Sequence, residues 1–71
     1  MNAMEWLSAY ADKLGIDPPT PDEVDGLLDL AAEAAHASER IAAPIACWLA
    51  ARGARTPDDA LELARTVIAE S

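Results

Sequence analysis

Apolar side chains recur along this chain at three- and four-residue steps, the spacing of one helix face, and no stretch alternates with the two-residue period of a strand. Met4, Leu7, Tyr10, Ala11 and Leu14 predict a first helix, with Asn2 able to cap its start and Gly15 placed to end it in a left-handed conformation. Asp17-Pro18-Pro19 then forbids helix, because each proline biases its predecessor toward extended geometry. Ile16 is expected to tuck back onto the core ahead of this stiff connector.

Two tetrads carry nearly complete helix-start signals: Thr20-Pro21-Asp22-Glu23 and Thr56-Pro57-Asp58-Asp59. In each, the threonine hydroxyl can accept from an orphan N–H of the first turn, and proline sits where its missing N–H costs nothing. Glu23 can complete a capping box, and Asp59 favours the positive end of the helix dipole. From Thr20 a second helix should run to about Ser38, with Val24, Leu27, Leu28, Ala31, Ala34 and Ala35 on its apolar stripe and Asp25, Asp29, Glu33, His36 and Arg40 opposite. Gly26 inside it costs roughly 1 kcal/mol relative to alanine, and so marks a close approach of another backbone. Pro44 would clash with the Arg40 carbonyl in a continuous helix. A break is therefore expected, with a third helix from about Ala43 that turns Ile45, Trp48 and Leu49 inward and stops at Gly53; a single kinked helix is the alternative. The fourth helix, opened by Thr56, presents Ala60, Leu61, Ala64, Val67 and Ile68 on one face. The chain therefore reads as an all-α protein, a compact orthogonal bundle of four short helices in a single domain spanning residues 1–71.

Composition changes what fills that bundle. Of the 71 residues 52% are apolar, but 17 of these are alanine. The core is expected from the larger set: Met4, Trp6, Leu7, Tyr10, Leu14, Val24, Leu27, Leu28, Leu30, Ile41, Ile45, Trp48, Leu49, Leu61, Val67 and Ile68. Both tryptophans facing inward would fill a small bundle well, whereas one left partly exposed would be an anchor for a partner.

The net charge of −8 is uneven, since residues 1–39 carry nine acids against Lys13 and residues 40–71 carry four acids against four arginines. Nucleic acid needs clustered cations, so DNA and RNA are excluded as partners, and an anionic membrane surface is disfavoured for the same reason. The acidic half reads as a solvated surface, or as one that steers toward a basic partner. A single cysteine, Cys47, excludes an internal disulfide, and its apolar neighbours mark it as a small buried hydrophobe. With no signal-like opening and no long apolar run, the expected location is the cytoplasm.

Catalytic chemistry is not expected. His36 is the only histidine, no further ligand set accompanies it, and the three glycines are isolated rather than gathered into a phosphate-cradling loop. Asp22, Glu23, Asp25 and Asp29 lack the spacing of a calcium loop, and no metal or cofactor is expected. The residues best placed to contact something are His36, Arg40 and Pro44 around the break, and Arg52 with Arg55 beyond the third helix, where Arg65 could join them. Arginine there suits a phosphate or carboxylate, or merely complements a helix C-terminus.

The run Leu27-Leu28-Asp29-Leu30-Ala31, then Ala35-His36, then Arg40 through Ala43-Pro44-Ile45, with Glu5-Trp6-Leu7 and Leu14-Gly15 upstream, resembles a small helical family of unknown function from high-GC Gram-positive bacteria. Its members occur alone or appended to molybdopterin-guanine dinucleotide nucleotidyltransferases, and near genes for molybdenum-enzyme maturation. The likeness spans roughly residues 4–53; Ile41 stands where members often carry proline after the arginine. The resemblance implies an accessory helical domain with no catalytic residue to carry over, and a protein partner such as the nucleotidyltransferase or a molybdenum-enzyme maturation protein. The leading expectation is a non-catalytic interaction module that supports molybdenum-cofactor biosynthesis through protein contacts. The alternative is a small-ligand domain in which His36, Arg40 or the Arg52/Arg55 group holds a phosphate or nucleotide.

Overall fold

A computed structural model describes residues 1–53 and 55–70. Its four helices are α1 (Ala3–Leu14), α2 (Pro21–Ala37), α3 (Ala42–Arg52) and α4 (Pro57–Glu70), and no strand occurs among the described residues. The all-α class expected from the pattern is the class observed.

Local chemistry sets each boundary. Asn2 caps α1 by accepting from the Glu5 N–H at 2.8 Å, while the Glu5 carboxylate accepts from the Asn2 N–H at 3.1 Å. At the other end Gly15 takes φ +76°, the N–H of Ile16 donates to the Ala11 carbonyl and that of Gly15 to Asp12. This Schellman closure holds the one positive-φ glycine among the described residues. Ile16 does not tuck into the core as expected; its side chain is exposed and its backbone completes the cap. Thr20 and Glu23 form the second capping box, at 3.2 and 2.8 Å. Thr56 accepts from the Asp59 N–H at 3.2 Å to open α4.

The chain breaks between α2 and α3, as Pro44 requires. Ser38 leaves helical geometry and donates its hydroxyl to the Ala34 carbonyl at 2.8 Å. Pro44 falls at the third position of α3, where a backbone N–H would have had no partner. No side chain caps α3; the carbonyls of Glu39 and Arg40 receive the N–H groups of Ala42 and Ala43 instead.

Helix α2 is the centre of the molecule, with α3 and α4 each packed extensively against it and far less against one another. Leu30 of α2 and Ala60 and Leu61 of α4 form the buried cluster, and Cys47, Ala50 and Ala64 pack around it. At Gly26 α4 approaches closely: a Cβ placed there would stand 2.7 Å from the Pro57 Cβ. The close approach inferred from that glycine is therefore real, and its partner is the first turn of α4.

Most of the large side chains assigned to the core are not in it. Leu30 and Leu61 are buried and Val24 and Leu27 half-buried, but the other twelve of that set are exposed, including Trp6 at 53% and Trp48 at 58%. On α3 the expected inward set Ile45, Trp48 and Leu49 lies outside, and the half-buried positions are Ala42, Ala43, Ala46, Cys47 and Ala50. The reason is steric: helices that meet through alanine and glycine sit too close for large residues between them, which are displaced to the edges of the contact. Helix α1 stands largely apart. Only Ala11 is buried on it, at 5%, and Trp6 and Tyr10 stack on each other in the open with ring centroids 5.1 Å apart. The result is an elongated body of 38 × 22 × 18 Å.

Candidate functional site

Because α3 and α4 flank α2 without closing on each other, a groove of about 650 Å³ runs between them. Its floor is α2, from Leu30 to Ser38; one wall is the Ala42–Ala46–Leu49–Ala50 edge of α3, and the other the Leu63, Ala64 and Ile68 edge of α4. These edges follow the helical repeat, so each wall is a continuous apolar strip. Only Glu33, Ser38 and Arg55 bring polar side chains to the lining. Two of these are already engaged: Ser38 with the Ala34 carbonyl, and Glu33 with Arg65 at 3.7 Å. That ion pair is solvent-exposed and worth well under about 1 kcal/mol. Arg55 lies at the end of the groove where α3 stops.

Of the residues singled out from the sequence, Arg55 lines the groove and the other four stand outside it. Arg52 lays its guanidinium over the exposed Trp48 ring, 4.8 Å from the centroid, a cation–π contact within α3. His36, Arg40 and Pro44 are exposed around the α2–α3 break, next to the end of the groove where Ser38 and Ala42 line it. Arg65 does not join Arg52 and Arg55 but pairs with Glu33. Ala54, between the two arginine-bearing segments, lies outside the described residues.

The lining of the groove is mostly apolar. Among the described residues, no three His, Cys, Asp or Glu side chains gather as metal ligands would, and no buried polar side chain lacks a partner. Asp22, Glu23 and Asp58 meet across the N-termini of α2 and α4, around a smaller cleft that also holds Thr56 and Pro57. Their acids face helix starts, where they serve the dipoles. Cys47 faces α2, its thiol 3.9 Å from the Leu27 carbonyl, and burial pushes its pKa above the ordinary thiol value. Burial thus disfavours the thiolate, the reactive form of the group. No helix is long and apolar enough to cross a membrane among the described residues.

Sequence reasoning named the polar edges of this surface and missed the groove itself. The signal was present in the small-residue edges Ala42–Ala46–Ala50 and Ala60–Ala64, which mark where helices meet α2 and hence where the space between them opens. No curated protein and no solved structure matches the chain significantly. One family model does, over residues 1–71, and the chain belongs to that family, the domain of unknown function DUF6457.

Proposed function

We propose that this protein is a non-catalytic accessory domain that acts through protein contacts, and that the enzymes it serves are those of molybdenum-cofactor biosynthesis, the molybdopterin-guanine dinucleotide nucleotidyltransferase first among them. The observation that carries the reading is the uncovered apolar surface: fifteen large hydrophobic side chains are more than a third exposed, two of them tryptophans. Soluble monomers rarely leave contiguous apolar surface of this kind without using it. Trp48 under Arg52 has the composition of an interface anchor, since tryptophan and arginine dominate binding energy where they are desolvated together. The resemblance to domains appended to the nucleotidyltransferase supplies the choice of partner, and the setting it suits is the cytoplasm.

Titration of that enzyme with the full chain tests the reading. A saturable complex is expected, weakened at least ~10-fold by Trp48→Ala. Absence of any complex, or turnover of a cofactor nucleotide by the chain alone, contradicts it. A second reading rests on Arg55 at the mouth of a groove large enough for a small ligand. Calorimetric binding of inorganic phosphate or GMP, abolished by Arg55→Ala, would favour it; the apolar lining favours protein.

A further inference from the structure

We infer that the groove between α3 and α4 is filled by α1 of a second copy of this chain, each copy lending its first helix to the other. The inference rests on the reading of the apolar surface as a protein-contact surface and names the occupant of one part of it.

Area sets the scale. The chain exposes 5575 Å². A folded monomer of its 7.5 kDa mass is expected to expose about 4,250 Å². The excess, about 1,300 Å², exceeds the roughly 800 Å² that each partner buries in a standard stable interface.

Shape and charge choose the occupant. Helix α1 has twelve residues and is therefore about 18 Å long, while the walls, α3 and α4, are about 16 and 21 Å. Its Ala11 edge already faces the body, at 5% exposure, so what it offers outward is the Trp6, Tyr10 and Leu14 edge, half or more exposed throughout. The Pro18-Pro19 connector interrupts the helices between α1 and α2, and no α1 residue lines the groove of its own chain. Helix α1 carries Glu5 and Asp12 against Lys13, while α3 has no acid and ends in Arg52, with Arg55 just beyond. The net −1 of α1 thus meets Arg55, the one cation among the residues that line the groove. A fourth helix laid in the groove would complete a bundle around α2, burying Leu49, Leu63 and Ile68.

The mass of the full chain in solution tests this, measured by sedimentation equilibrium from about 1 to 500 μM together with two variants, Tyr10→Lys in the donated helix and Leu63→Glu in the groove. Both positions are about half exposed, so neither substitution disturbs the buried cluster, and circular dichroism confirms each fold. The wild-type chain is expected to double its mass within this range, and each variant to weaken self-association at least ~10-fold. Mixing the two variants should restore a mixed dimer, because the intact α1 of Leu63→Glu still fits the intact groove of Tyr10→Lys. A wild-type chain that stays at single mass throughout overturns the inference while leaving the nucleotidyltransferase titration free to succeed. A dimer that ignores both substitutions, or variants that fail to complement, overturns the assignment of α1 to the groove.

Discussion

At the scale of single residues, the account turns on small side chains and caps. The Thr20 and Thr56 hydroxyls each satisfy a backbone N–H that otherwise has no partner. Thr20→Ala or Thr56→Ala should each cost ~1 kcal/mol and lower the melting midpoint by roughly 4–8 °C, and unchanged midpoints for both would show that the caps are idle. Gly26 is a stricter case. Alanine there gains about 1 kcal/mol of helix propensity, yet its methyl would press on the rigid Pro57 ring 2.7 Å away. A net loss of about 1–2 kcal/mol is expected in denaturant titration, and a gain would mean that α4 yields freely. The folded pKa of Cys47 lies above the ordinary value of 9.0 because burial penalises the thiolate. The stability held by the neutral thiol is therefore complete below that value and is lost as pH rises through the folded one. Labelling of the native protein at neutral pH should be at least ~10-fold slower than in denaturant; equal rates would place the thiol in open water.

Individual helices differ in how firmly they are held. Helix α2 is packed from two sides and carries Leu30, the most deeply buried of its side chains, whereas α1 buries only Ala11. Amide exchange should therefore be fastest in α1 among the helices, despite its complete capping box and Schellman closure, and slowest around Leu30. Equal protection in α1 and α2 of the dilute chain would show packing on α1 that the structure lacks. The two helices also show what could be read from sequence. Boundaries were legible because caps, prolines and Gly15 act within four residues of themselves, and the structure places the helix starts and the Pro44 break where those signals do. Facing was less legible. The Ile45, Trp48 and Leu49 side of α3 is more hydrophobic than the Ala42, Ala46 and Ala50 side, yet the alanines face α2. Periodicity identifies an apolar face; it does not say whether anything covers it, and a close helix crossing selects small residues over greasy ones. Arg55 was named and does line the groove, but the groove arises from three helices at once, which no local pattern encodes.

The described helices form an open bundle: one central helix, two flanking helices with little contact between them, and a fourth held to one side. A chain of 71 residues has little core to spare, so leaving this much apolar surface uncovered makes stability and association two aspects of one property. The acidic charge of residues 1–39 favours solubility in a body that exposes this much apolar surface. The assignment of an occupant to the groove depends on the groove being open in the single chain. Methyl NMR with a neutral, soluble paramagnetic probe measures that directly, at a concentration where the mass is that of one chain. The methyls of Leu49, Leu63 and Ile68 are expected to relax as strongly as other exposed side chains, while those of Leu30 and Leu61 stay protected. Protection of the first group at the level of the second would show that the chain closes the groove by itself, and would contradict the account.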